Sequence, residues 1–212
     1  MTKQWIDVSV PLHTGMVYWP SDPSVHIARF ADMSKGAVCN VSKMDLCCHA
    51  GTHMDGLNHF IKDGASLDTL PFDAVIGPCR VIEIKDTDCV KPAELKKHKL
   101  KKGERILLKT RNSKRQWWNE EFDTKFIHIS KEAAQHLVGC GIRTIGIDYL
   151  SVGGYERDGV ECHQIILGAG IWIIEGLDLT KVRPGNYDVI CLPVKIQNSD
   201  GAPARAVLRR RG

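Results

Sequence analysis

The segment His49-Ala-Gly-Thr-His53-Met-Asp55-Gly-Leu-Asn-His59 packs three histidines and one aspartate into eleven residues. Neutral imidazoles and carboxylates are standard ligands for zinc or manganese, and a set free of thiolates suits a catalytic ion that keeps a position for water. Spacing limits the backbone that could use them together. On one extended strand His49 and His53 would stand about 13 Å apart, at roughly 3.3 Å per residue, too far to share an ion. On a helix Asp55 would point about 240° away from His49. A tight irregular loop is therefore expected, with Gly51 and Gly56 supplying conformations closed to other residues. Farther along, Glu175 ends the apolar run Ile171-Trp-Ile-Ile174. A carboxylate is costly to bury there unless something compensates it, and a cation would do so.

The elements that must position these groups are mostly short and β-like. Segments rich in Val and Ile predict strands over Trp5–Val10, Val38–Leu46, Cys79–Ile84, Arg105–Thr110, Phe126–Ile129, Thr144–Ile147, Gly170–Ile174, Asp188–Ile196 and Ala204–Leu208. Helical signals are fewer. Ser130 suits an N-cap for a helix with Glu132 in its first turn and Gly139 at its end. Pro92 starts a short helix to His98, and Glu161–Leu167 forms a third candidate. Strands outnumber helices, so the fold class read here is β-rich α/β.

Composition sets the remaining bounds. The 212 residues carry 43% apolar and 25% charged side chains, the balance of one folded domain spanning 1–212, and no repeat or linker interrupts them. A formal charge of +4 mildly favours anionic ligands without calling for nucleic acid. The eight cysteines are scattered with no CxxC pair, and the first residues lack the apolar run of a signal peptide. Reduced, mostly buried thiols in a cytoplasmic protein are expected. The longest apolar stretch, Ile165 to Ile174, is about half a membrane span.

The pattern H-x-G-T-H-x-D-x-x-x-H resembles the signature of the cyclase family of hydrolases, which contains bacterial-type kynurenine formamidases and isatin hydrolases. Other segments are similar to that family in the same order: Val17-Tyr-Trp-Pro-Ser-Asp22, Thr144-Ile-Gly-Ile-Asp148, Cys162-His163 through Gly170-Ile-Trp-Ile-Ile-Glu-Gly-Leu177, and Gly201-Ala-Pro-Ala-Arg205. The resemblance implies a swivelling β/β/α domain with a mixed sheet or barrel-like core and flanking helices, forming a homodimer or homotetramer. It further implies that His49, His53 and Asp55 bind one metal, that Asp55 and His163 hold a second, and that Glu175 reaches both. The cofactor would be zinc, with manganese as the alternative, at one or two ions per subunit. His59 falls at the family's catalytic histidine and Trp19 at a substrate contact. Leu57 departs from the proline usual two residues before that histidine, which relaxes the backbone and puts the pocket's shape in question. Gly153 follows Ser151-Val152 where many relatives carry an acidic residue.

The activity this implies is hydrolysis of an amide in a small acyl compound, an arylformamide or cyclic amide, by metal-activated water with His59 as acid and base. A lactone or imide hydrolase, a cyclase or dehydratase, and a metal-binding protein without turnover are the rivals. Trp19 suits either a core plug or a stacking surface. Trp117-Trp118 suits a lid, an interface anchor or peripheral packing. The basic runs Lys96–Lys102 and Arg209–Arg211 lack interleaved aromatics and read as solvated faces, with no nucleic acid and no membrane as partners. Cys47-Cys48 reads as packing, and Asp148 as a support for the site from a strand end.

Overall fold

A computed structural model describes residues 4–211. Twelve strands are formed among them: β1 (Trp5–Asp7), β2 (His26–Ala31), β3 (Val41–Asp45), β4 (His53–Asp55), β5 (Ile76–Glu83), β6 (Cys89–Val90), β7 (Arg105–Lys109), β8 (His128–Ile129), β9 (Thr144–Ile147), β10 (Trp172–Glu175), β11 (Gly185–Pro193) and β12 (Gly201–Arg210). The helices are α1 (Phe72–Val75), α2 (Pro92–Lys96), α3 (Lys131–Cys140) and α4 (Gly159–Gly168). The main sheet runs β1-β12-β11-β5-β7-β9-β10-β4, and β4 pairs again with β12, so the sheet closes into a barrel. Neighbours from β5 through β7 and β9 to β10 are parallel, and the remaining pairs are antiparallel. This is the mixed, barrel-like core with flanking helices that the resemblance implies.

Strand periodicity explains the two faces. Alternate residues point to opposite sides, so Val81, Leu107, Trp172, Ile174 and Leu208 fill the interior, while Ile82, Ile106, Leu108, Ile145 and Ile173 meet helices α2 to α4 outside. Gly146 lies on the inner face of β9, and a Cβ there would come within 2.5 Å of Leu107. A third cluster joins Trp117, Trp118, Phe126 and Tyr149 beneath the N-terminal segments.

Some expectations are corrected and others kept. The third helix ends at Gly141, whose φ of 65° stops it, and Gly139 lies inside it. The strand expected over Val38–Leu46 is shorter, since residues 38–40 and Leu46 stand outside β3, and it pairs as a separate two-stranded sheet with β2, which the patterning did not flag. Trp117 and Trp118 are buried, 1% and 5% exposed, so they pack the interior and form no lid. Asp148 accepts five hydrogen bonds from Thr110, Asn112 and Ser113, and thereby fixes the turn after β7. Of the basic tail, Arg209 and Arg210 end β12, with the Arg209 guanidinium 4.8 Å above the Trp5 ring. Burial pushes the thiols of Cys79 and Cys191 up to about 12, which leaves them inert, and all eight cysteines are free. No helix among the described residues is long and apolar enough to cross a membrane.

Candidate metal centre

The histidine segment is half loop and half strand, and that division places its side chains. Residues 49–52 turn sharply, with Gly51 at φ 62°, before β4 begins at His53. The turn packs against the end of β10: a Cβ on Gly176, itself at φ 68°, would lie 1.9 Å from the Gly51 carbonyl oxygen. Only glycine permits that approach. Within β4, Met54 points into the barrel, so His53 and Asp55 share the opposite face. The register puts Glu175 of β10 directly across from His53. α4 then covers this face and brings His163 to the same spot. The loop expectation thus holds for His49 and fails for His53 and Asp55, which are on a strand because β10 and β12 pair with them on both edges.

Distances show a tight group. His53 Nε2 lies 3.1 Å from Glu175 Oε2 and 3.7 Å from Asp55 Oδ1. His163 Nε2 lies 3.3 Å from Glu175 Oε1 and 3.9 Å from Asp55 Oδ2. His49 Nδ1 is 3.0 Å from Asp55 Oδ1. All of these rings and carboxylates are buried except that of His49, which is nearly so. His53 donates from Nδ1 to the Gly51 carbonyl at 2.9 Å, and His163 from Nδ1 to the Gly159 carbonyl at 2.7 Å. Those bonds place the ring protons on the far side, so bare Nε2 atoms face carboxylate oxygens. His53 Nε2 and Asp55 Oδ2 have no hydrogen-bond partner despite complete burial. Lone pairs opposed in this way need a cation or extra protons between them.

Protonation follows the same logic. Burial works against a charge on His49, yet hydrogen bonds to Asp200 and Asp55 overcome it and push the ring up to about 11. Burial also opposes a charge on His163, and Glu175 and Asp55 reverse that, moving it up. Burial would raise the Asp55 carboxyl, but the surrounding histidines hold it below its usual range. A proton on His49 stands in for the missing positive charge, and a cation would displace it. The donors fall into two groups able to hold an ion, His53 with Asp55 and Glu175, and His49 with Asp55 and His59. The residues therefore fit a divalent ion in the hard and borderline class.

His59, the third member of the second donor group, lies in the turn Leu57–His59. Its ring stacks on His49 at 4.0 Å between centroids, and burial moves its pKa down, leaving it neutral near neutral pH. Above these rings opens a cavity of about 390 Å³, bounded by Trp19, Phe60, Leu150 and Val160 on its apolar sides. Trp19 meets Phe122 and Tyr155 edge-on at 5.3 and 5.5 Å, so it packs on the aromatic cluster and also lines the cavity. Leu57 does not line it. Gly56 before it is extended and Leu57 opens a helical turn, so the backbone already has the form a proline would impose.

Residues 6–153 match the model of the Cyclase family. The chain belongs to that family. A kynurenine formamidase of Bacillus cereus is 34% identical to this cyclase-family chain over 209 residues, covering 98% of each. A solved structure described as a potential metal-dependent hydrolase with cyclase activity superposes with a TM-score of 0.87 at 30% identity, over 100% of both chains. Isatin hydrolase A from Labrenzia aggregata, at 20% identity, shares the fold with a TM-score of 0.85 over 99% of this chain and 94% of its own. Family membership and the two donor groups together support a hydrolase acting on small acyl or amide compounds.

Sequence reasoning missed three contributors. Asp200 Oδ2 lies 2.8 Å from His49 Nε2 and 3.8 Å from His59 Nδ1. Phe60 stacks on His163 at 4.4 Å. The Val152 amide donates to Glu175 Oε1 at 2.5 Å. Asp200-Gly201 reads locally as a turn, so nothing short of the folded chain separates it from an ordinary loop acid.

Proposed function

We propose that the protein is a metal-dependent amidohydrolase that cleaves an arylformamide or cyclic amide, with zinc, or alternatively manganese, held by His49, His53, Asp55, His163 and Glu175 at one or two ions per subunit. The observation that carries this reading is the pair of buried, partnerless atoms His53 Nε2 and Asp55 Oδ2, facing one another's neighbours across the cluster. A bound divalent cation acidifies water and polarises a carbonyl at neutral pH. Asp55, with an oxygen toward each histidine group, is the residue suited to bridging two positions. His59 is neutral, stacked and open to the cavity, and it takes a proton from the attacking water and returns it to the leaving nitrogen, a role that typically supplies about 10²–10⁴-fold. Trp19 and Phe60 offer aromatic faces to an aryl substituent and keep water from that side of the cavity.

The deciding experiment couples metal analysis to turnover. Chelated protein should be inactive, and zinc or manganese should restore hydrolysis of N-formylkynurenine or of a cyclic amide assayed beside it. Lactones and imides in the same panel separate the rival chemistries. Protein that holds its metal yet turns over no member of the panel would reduce the reading to a binding protein. Light scattering checks the homodimer or homotetramer.

A further inference from the structure

Three histidine rings surround Asp55, and an oxygen holds the second nitrogen of each. For His53 and His163 that oxygen is a main-chain carbonyl, of Gly51 and Gly159. His49 differs, because its Nε2 meets the side chain of Asp200 at 2.8 Å while its Nδ1 faces Asp55. We propose that Asp200 is a positioning residue: its carboxylate keeps a proton on His49 Nε2, so the ring's lone pair falls on Nδ1 and is presented beside Asp55 to a divalent cation. This rests on the metal-dependent reading above.

The geometry around Asp200 supports a dedicated arm. Its carbonyl accepts from the Gly56 amide at 2.7 Å, and the Ser199 carbonyl accepts from the Leu67 amide at 2.9 Å. Gly201 pairs with Asp55 across β12 and β4. The main chain is thus pinned to the metal-bearing strand without help from the Asp200 side chain. Gly201 also makes room for the ring, since a Cβ there would lie 2.5 Å from His49 Cε1. The carboxylate itself is 53% exposed, whereas the ring it holds is 12% exposed. A half-exposed acid fixed on a nearly buried imidazole sets the tautomer and raises the basicity of a ligand. The same Oδ2 is 3.8 Å from His59 Nδ1, beyond hydrogen-bonding range, so His49 is the ring it holds.

The test uses the full chain after chelation. Zinc affinity is measured by competition with a chromophoric chelator, and the visible spectrum is recorded on cobalt-loaded protein. Asp200→Ala should lose about 10–100-fold in affinity and change the cobalt spectrum, with the far-ultraviolet circular dichroism of the metal-free fold unchanged. Asp200→Asn keeps an acceptor for the Nε2 proton and should retain part of the affinity. Asp68→Asn is the control, because Asp68 accepts from the Asn198 amide at 3.1 Å and braces the same segment without touching a histidine. Parent-like affinity and spectrum in Asp200→Ala would overturn the proposal, as would an equal loss in Asp68→Asn. Parent protein that binds no cation at all would instead bring down the metal-dependent reading, and this inference with it.

Discussion

Asp55 and Asp148 are both completely buried, yet only Asp148 has the hydrogen-bonding demand of both oxygens met. Asp148 follows β9 and accepts from two amides, two hydroxyls and a side-chain amide at 2.6–3.4 Å, which meets the demand of both oxygens. Burial still dominates and moves its carboxyl up. Asp55 sits in β4 with one oxygen toward His49 and the other without a partner. Its carboxyl moves down because the hydrogen bond and charge of His49 outweigh burial. Equal burial with opposite satisfaction teaches that unmet hydrogen-bonding demand, rather than burial, marks the centre.

The largest test of that contrast is Asp55→Asn. It should abolish tight zinc binding and hydrolysis, and remove the rise in melting temperature that added zinc is expected to give the parent. Retained stoichiometric binding would erase the distinction between the two acids. Asp148→Ala should do the reverse. It strands buried donors on Thr110, Asn112 and Ser113, costs about 3 kcal/mol in denaturant unfolding, and leaves zinc stoichiometry intact in the cold. Loss of metal without loss of stability would assign Asp148 to the site after all.

Proton competition gives the next effect. His49 is raised in the folded, metal-free protein to about 11 from an ordinary 6.5. Its stabilising contribution is fully present below about pH 6.5 and declines as pH rises toward about 11. Zinc bound as proposed would displace that proton, so affinity should climb with pH over the same window while the chelated protein loses stability. Affinity that stays flat from pH 6.5 upward would show that no proton is displaced. The smallest effect is expected from Leu57→Pro, two residues beyond Asp55. The extended Gly56 and the helical turn that begins at Leu57 accommodate proline, so stability should shift by no more than about 1 kcal/mol and zinc stoichiometry should hold. Unfolding of this variant would show that the turn after β4 needs its leucine packing.

Much of the candidate centre was legible because its chemistry is local. Three histidines and an aspartate at fixed spacing announce metal-ligand character without a fold. The carboxylate at the end of the Ile171–Ile174 run announces a buried charge in need of compensation. What spacing could not deliver was conformation. His49 and His53 are too far apart to share an ion along one strand, but His49 precedes the strand and residues 53–55 form it. A three-residue strand carries too little periodicity to be recognised, and it exists because two distant strands flank it. Trp117 and Trp118 were ambiguous for a related reason, since a polar local sequence says nothing of the aromatic cluster that buries them.

By itself the sequence determined the donor types, the longer strands of the main sheet and the N-cap at Ser130, all set by interactions between near neighbours. Only the tertiary structure decided which donors meet, since closing the barrel through β4 brings Glu175 across from His53 and carries Asp200 to His49 from 151 residues away. Such contacts depend on how the whole chain excludes water from its core, and no short stretch of residues encodes that.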